Sequence, residues 1–319
     1  MTLGDPRGIG TEITVAALPA FLNEFPQVEV ILLGADDRVA EATTTLSHPR
    51  VTGEGVGPAG GSDAVAGSVS VEAIRQGVAT CLAGEATALV TGPVHKPSLH
   101  AAGVTTPGQT EFLQSLTGAP DVGMLMATER SRLEVPLRIL LATTHLPLRD
   151  VADALDAPRL RGQLRLLADG LRHGWQIEAP RIALCALNPH ASDGGLFGDE
   201  EALIMAPVVE ELRREGLDLR GPIPADSVFR TLLTGDVDGI VVPYHDVGMA
   251  VFKTLAFGRG VNVTLGLPFL RTSPDHGTAF DIVGTGKASP DSTLEALRLA
   301  ARLGPGLFQV GTSVSEGNK

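Results

Sequence analysis

The chain has 319 residues, 43% of them hydrophobic, enough to bury a sizeable core in one large or two medium domains. Its 37 acidic residues outnumber 25 basic ones, giving a net charge of -12, which argues against a general nucleic-acid binder and requires any anionic substrate to meet a local cluster of positive charge. The two cysteines, Cys81 and Cys185, lie in apolar runs and form no CxxC pair. They argue against a disulfide framework or a cysteine zinc site and fit a reduced cytoplasmic compartment. No apolar run reaches the roughly 18 residues of a membrane span, and no signal peptide opens the chain.

In chain order, "MTLGDPRGIGTEI" reaches a glycine-rich loop by residue 4, and an apolar-spaced helix follows at Ile13, Ala16, Ala17, Ala20 and Phe21. Such a loop normally follows a strand. Met1 to Leu3 is too short for a full one, so the first strand is expected to be a stub or to begin upstream. "VEVILLGA" (28–35) reads as a buried strand and "GSVSVEAIRQGVATCLAGE" (67–85) as a helix. "ATALVTGPVHK" (86–96) reads as a strand and turn, and "LRILLATTH" (137–145) as a strand. An amphipathic helix is predicted from about Pro158 to His173, and a strand over "RIALCALNPH" (181–190). "DEEALIMAPVVEELRREG" (199–216) reads as a helix whose first-turn acids suit the macrodipole. A strand over "DGIVVPYHD" (238–246) and a helix from about Ser289 to Arg302 complete the pattern. The alternation predicts an α/β fold around a parallel or mixed sheet. With no linker or repeat in sight, any domain division is expected to be discontinuous.

Three of the predicted strands share a feature. One ends at His145, the next at His190 and the third at His245. A single histidine at a strand end is ordinarily a structural hydrogen-bonder. Ligands of open α/β sheets, however, bind beyond the carboxyl ends of the strands. Three imidazoles delivered there make a plausible divalent-metal site with positions left for substrate. Asp246, beside His245, is a candidate orienting partner or acid/base. His95 and His100 stand in a segment that starts a helix and rank lower, while His48 and His173 read as incidental.

The stretch from 251 to 290 is dense in glycines and cationic or amide side chains. Lys253, Asn262 and Arg271 are nine residues apart, suited to a phosphate or carboxylate if they converge and ordinary surface charge if they do not. A dinucleotide fingerprint of the G-x-G-x-x-G type is missing, as is a P-loop.

Together "GDPRGIGTEI", "ALVTGPVHK", "TPGQTEF", "LATTHLPLRD", "LNPHASDGG", "PIPADSVF", "YHDVGMAVFK" and "FGRGVNVTLGLPFLRTSPDHGTAFDIVGTGKA" resemble the 4-hydroxythreonine-4-phosphate dehydrogenase family of pyridoxal phosphate biosynthesis, in order from residue 4 to about 290. The resemblance implies a three-layer, isopropylmalate-dehydrogenase-like α/β fold. It implies a single catalytic chain over 1–319 of two discontinuous subdomains around a central cleft. It also implies a homodimer whose subunits share a metal held by His145, His190 and His245, with zinc favoured on ligand type and magnesium, manganese or cobalt the alternatives. The family's substrate contacts fall on Thr110, Lys253, Asn262 and Arg271. A further one, a histidine in the family's "GHTEF" motif, is replaced here by Gln109, which can hydrogen-bond but carries no charge. "DHGTAFDIVGTGKASP" resembles the adenosine-binding segment of isopropylmalate and isocitrate dehydrogenases. That likeness places His276 near the adenine and Asp281 on the ribose hydroxyls, and favours NAD over NADP.

The implied reaction is oxidation and decarboxylation of 4-phosphooxy-L-threonine, with the hydroxyl proton taken by Asp246 or Lys96. One alternative is a dehydrogenase of erythronate or threonate 4-phosphate, sugar acids without the amino group, which Gln109 could reflect. A more distant one is a metal-dependent phosphate-ester hydrolase, for which "HGTAFDIVGTG" has no use, and another is a binding module that has lost activity.

Overall fold

Short apolar runs bounded by glycine, proline and asparagine set the strands of the chain. Its computed structural model describes residues 1–316, with side chains described to residue 306. Among these are ten strands: β1 (Val30–Gly34), β2 (Val51–Gly55), β3 (Ala88–Val90), β4 (Gly123–Thr128), β5 (Leu137–Leu141), β6 (Arg181–Cys185), β7 (Asp218–Ile223), β8 (Gly239–Val242), β9 (Val261–Leu265) and β10 (Leu270–Pro274). The chain divides into two compact units. The first is 1–120, 261–263 and 267–319, and the second is 121–260 and 264–266.

In the second unit the strand order is β4-β5-β8-β6-β7. β4 and β5 are antiparallel, while β5, β8, β6 and β7 run parallel, so the sheet is mixed. β5 and β8 are buried along their whole length, the pattern of strands covered on both faces. One face carries Ile139, Leu141, Ala183, Cys185, Ile240 and Val242, packed with Val228 and Leu232 of the helix Ala225–Leu233 and Phe252 and Ala256 of the helix His245–Ala256. The other is covered by the helix Ala157–His173, whose Leu160, Leu164, Leu167 and Leu171 are all buried at four- and three-residue intervals. That helix starts where Asp156 accepts the Arg159 amide at 2.8 Å, one residue before the predicted boundary. Helix, sheet and helix thus make three layers.

In the first unit β1 and β2 pair in parallel, and β10 lies between β3 and β9. The helix Asp63–Leu82 sets Val71, Ile74, Val78 and Cys81 against Leu89, Leu99, Phe112, Leu113 and Phe269. The helix Asp291–Glu316 packs along β3 and β10, and Thr272 donates to the Ala296 carbonyl at 2.9 Å. Thr2 makes isolated parallel bridges to Leu33 and Thr91.

The predicted elements stand, with shorter strands. The run 238–246 is strand only over Gly239–Val242, and His245 opens a helix. The predicted helix 199–216 is two pieces, a π-helical turn Glu201–Met205 and an α-helix Ala206–Arg214. Among the described residues no helix is long and apolar enough to cross a membrane.

Candidate active site

β5, β8 and β6 are parallel neighbours, with Leu141 opposite Val242 and Leu184 opposite Val241. Histidines 145, 245 and 190 follow these strands within a few residues, so all three leave the same edge of the second unit's sheet. Two are drawn together by the backbone. The Ala142 amide donates to the Val242 carbonyl at 2.8 Å, and the Thr143 hydroxyl to the Pro243 carbonyl at 2.8 Å. Two residues past these ties, the rings of His145 and His245 stand with centroids 5.6 Å apart. Gly248, one turn into the helix, lets it lie close on the sheet, since a Cβ there would meet Leu141 and Val242 at 2.9 Å. His245 Nδ1 pairs with Asp246 at 2.7 Å, so Nε2 is the ring nitrogen turned away from that carboxylate.

Two imidazoles on one ion, with metal–nitrogen bonds of about 2.1 Å, place their ring centroids roughly 5–6 Å apart. The His145–His245 pair fits that spacing. Among the described residues no third His, Cys, Asp or Glu completes a metal-holding group within one chain. His190 therefore stands on the expected sheet edge without joining the other two.

The loop that carries His190 is unusual. His190, Ala191, Ser192 and Asp193 all have positive φ (53°, 54°, 67° and 45°), followed by Gly194 and Gly195. Left-handed backbone costs a side-chain-bearing residue roughly 1–2 kcal/mol, so four in succession must be held by their surroundings. Glu201, 4% exposed, does much of the holding. Its Oε1 accepts the amides of Leu187 at 2.8 Å and Asn188 at 2.7 Å, and its Oε2 accepts Asn188 Nδ2 at 2.9 Å and the Ser192 hydroxyl. Burial works against ionisation of this carboxyl, but the bonds from Asn188 and Ser192 prevail and hold it below the usual range. Gly198 closes the loop with φ 131°, and a Cβ there would run into Glu200 and Asn188.

The first unit carries a different set. Arg271 on β10 is 2% exposed. Its Nε and Nη2 donate to the Thr91 hydroxyl at 3.0 and 2.8 Å, and Nη2 also donates to Gln109 Oε1. Burial pushes the guanidinium down to about 10, partly opposed by Glu111. Gln109 and Thr110 open the helix Gln109–Thr117 and are half-buried. Gln109 Nε2 and Asn262 Oδ1 are buried without a hydrogen-bond partner, each a cost of roughly 1–3 kcal/mol that a bound polar group would relieve. Lys96 is exposed at the start of the helix Lys96–Ala101. Lys253 is half-buried in the second unit's helix His245–Ala256.

The segment 276–286 is seated on the first residues of the chain. Ile9 donates to the Thr278 carbonyl at 3.0 Å, and the Gly284 amide to Glu12 Oε2 at 3.3 Å. His276 bonds the Gly277 carbonyl through Nδ1 at 3.0 Å, and its Nε2 is another buried orphan, as is Glu12 Oε1. Asp281 is exposed in the turn Phe280–Ile282. Arg7 lies over the Phe280 ring, 5.3 Å from its centroid, and the His95 ring meets it at 5.1 Å. Orphan acceptors and donors beside an exposed carboxylate fit the hydroxyls and ring nitrogens of a nucleotide cofactor.

A cavity of about 470 Å³ opens between β1 and β3, lined by Met1, Phe21, Val30, Leu89 and Leu297 among others. It contains none of the residues singled out above, so it does not mark this site.

The model of the pyridoxal phosphate biosynthetic protein PdxA family matches residues 11–300. The chain belongs to this family. It is similar to the crystal structure of 4-hydroxythreonine-4-phosphate dehydrogenase from Klebsiella pneumoniae, with 35% identity, TM-score 0.80, and 95% of this chain and 96% of that one covered. The enzyme of the same description from Burkholderia phymatum gives 34% identity, TM-score 0.79, and coverage of 95% and 96%. A likeness to isocitrate dehydrogenase from Methylococcus capsulatus, at 13% identity and TM-score 0.50 over 99% and 87% of the chains, shows the shared fold alone.

Membership of the PdxA family makes the chain a dehydrogenase-class oxidoreductase and bears out the resemblance read from its motifs. Three groups went unremarked in the sequence. Thr91 supports Arg271, and its signal was a polar residue directly after a buried strand. Asp5 and Asp63 hold Arg7 at 2.9 Å each, and neighbouring Asp and Arg in "GDPRG" hinted at that pair. Glu201 read as a helix-start charge and is instead the buried acceptor of the His190 loop.

Proposed function

We propose that the chain oxidises and decarboxylates 4-phosphooxy-L-threonine to 3-amino-2-oxopropyl phosphate, with NAD as hydride acceptor and a divalent metal, zinc on ligand type. The observation that carries an anionic substrate is Arg271, a buried guanidinium held by neutral Thr91 and Gln109 and pushed down to about 10 by its burial. A phosphate or carboxylate entering beside it would add charge-assisted hydrogen bonds to that buried fork.

In this reading Arg271, Lys253, Asn262 and Thr110 grip the phosphate and polar backbone of the substrate. They supply orientation, bringing the carbinol hydrogen to the nicotinamide. His145, His190 and His245 hold the metal, which when bound supplies Lewis-acid stabilisation of charge on the substrate's oxygens. Hydride leaves the carbinol carbon, and the hydroxyl proton goes to a base. Asp246 is bonded to His245 and so has the work of orienting that ring, which leaves Lys96 of the two candidates as the proton acceptor. The β-keto acid then loses carbon dioxide, the bonding electrons passing to the ketone. His276 and Asp281 hold the adenosine half of NAD.

A homodimer with the metal shared between subunits is part of the proposal. It is supported by the metal chemistry expected of the family, because among the described residues of one chain no group of three His, Cys, Asp or Glu is placed to hold a metal ion. It is also supported by exposed Leu146 and Leu148 following His145, and exposed Leu196 and Phe197 following His190.

One observation favours a second reading, the sugar-acid phosphates. Gln109 commits Oε1 to Arg271, which leaves Nε2, a donor, for the substrate. A donor suits a hydroxyl and repels an ammonium. The test is NADH formation on 4-phosphooxy-L-threonine beside erythronate and threonate 4-phosphates, with metal supplied. A higher kcat/KM on the amino substrate sustains the first reading, and preference for a sugar acid replaces it with the second.

A further inference from the structure

Glu201 and Asn188 enclose the loop that carries His190. The carboxylate takes bonds from both flanks, the amides of Leu187 and Asn188 before the histidine and the hydroxyl of Ser192 after it. Between them the backbone runs through four consecutive left-handed residues that carry side chains, a conformation that short peptides do not hold by themselves. Further bonds close the same turn. Ala191 donates to the Asn188 carbonyl at 3.2 Å, and Leu196 to that of Ser192 at 2.8 Å. Glu201 itself sits at the first position of a π-helical turn, a local widening found frequently at functional sites. Its exposed neighbours Ala202 and Leu203 show that the helix could point an acid outward at no cost, yet this one is buried. His190, by contrast, is exposed.

We infer that Glu201 is a positioning residue for His190: its buried carboxylate clamps the left-handed 188–195 turn from both sides and so fixes where the imidazole is presented for metal binding. The inference rests on the reading of His190 as a ligand. Strain in the turn is what makes the clamp necessary, because a released turn would relax to ordinary backbone and carry the ring with it. Glu201→Gln tests the charge and the acceptor count. It keeps an oxygen for the two amides but turns a donor towards Asn188 Nδ2, which is also a donor.

The experiment compares wild type, Glu201→Gln, Ser192→Ala and His190→Ala as full-length protein. Two readouts are taken, amide hydrogen exchange over 187–196 without metal and cobalt(II) affinity with its visible spectrum. Expected are exchange in that segment faster by roughly tenfold or more in Glu201→Gln, with the rest of the chain unchanged, and cobalt affinity lower by a similar factor. Ser192→Ala, which spares the amide contacts, should show both effects at about two- to fivefold, and it carries the test if Glu201→Gln does not fold. Unchanged exchange overturns the clamp. Faster exchange with unchanged cobalt affinity and spectrum, in a protein where His190→Ala loses cobalt, overturns the link to the ligand. A wild type that takes up no cobalt overturns the metal reading itself, and this inference with it.

Discussion

The two units prepare for opposite charges. The second presents imidazoles whose supports are carboxylates: Asp246 on His245 and Glu201 around the turn of His190. The carboxylate on His245 Nδ1 makes that ring a better ligand for a cation, while Glu201 bonds the groups that flank His190 and holds their turn. The first presents a buried guanidinium supported by a hydroxyl and an amide oxygen, with unpaired donors and acceptors nearby. A buried guanidinium fork of this kind suits an anion. A phosphorylated hydroxy acid bound with a metal needs both, so the contrast is what the proposed chemistry requires. The net charge of -12 makes the first unit's local cation the more informative half, because it runs against the chain as a whole.

The comparison breaks most visibly if the cation side is removed. His190→Ala should lower turnover by roughly a thousandfold or more and abolish tight metal binding, with circular dichroism unchanged, since the ring is exposed. Full activity in a strong chelator would end the metal role. On the anion side, Arg271→Ala should raise KM for the phosphorylated substrate by roughly ten- to a hundredfold, the scale of one charge-assisted bond. Arg271→Lys should recover little, because an ammonium lacks the fork that meets Thr91 and Gln109 together. An unchanged KM in the alanine variant would remove the anion site.

These residues differ in how far the sequence disclosed them. The strands were legible because β5, β6 and β8 are apolar runs buried on both faces, and the histidines because each stands just past such a run. The division of 199–216 into π-turn and α-helix was not legible. Nothing in "DEEALIM" distinguishes an acid facing solvent from one reaching back to residues 187–192. That difference lies in tertiary hydrogen bonds between positions about ten residues apart. Likewise Arg271 could be named from its motif, but its burial could not, since β10 lies in a glycine-dense stretch for which no strand was predicted.

Smaller effects sharpen the contrast. Asp246→Asn should weaken metal binding by roughly tenfold. The amide keeps a hydrogen bond to His245 Nδ1 but loses the charge that makes the ring a better ligand. Isothermal titration with cobalt(II) or zinc(II) would check this, and an unchanged affinity would confine Asp246 to the surface. The pH dependence of KM probes the other side. Burial lowers the folded-state value of Arg271 to about 10, well below the ordinary guanidinium range. Below that value the guanidinium is charged and the anion grip is complete. KM is therefore expected to be flat to roughly pH 9 and to rise as pH approaches 10, where the folded protein loses the proton first. A bound anion raises the value again, so any fall in kcat should come at higher pH than the fall in kcat/KM.

The smallest expected effect falls on Gln109, and it concerns choice of substrate. Arg271 has only donors, so it orients the amide oxygen towards itself and leaves Nε2 as the group facing elsewhere. Histidine at this position, as in the motif the family carries, could not accept from Arg271 when protonated, and when neutral it could do so only through an unprotonated ring nitrogen. Gln109→His should therefore cost the Arg271 contact and alter the polar group this position offers. Gln109→Ala removes both. The measurement is the ratio of kcat/KM on 4-phosphooxy-L-threonine to that on the sugar-acid phosphates. A shift of up to roughly tenfold towards the amino substrate in Gln109→His, with the alanine variant poor on all three, would make this residue the selector. A ratio equal in all variants would mean that Gln109 serves Arg271 alone, and that selection lies among Thr110, Lys253 and Asn262.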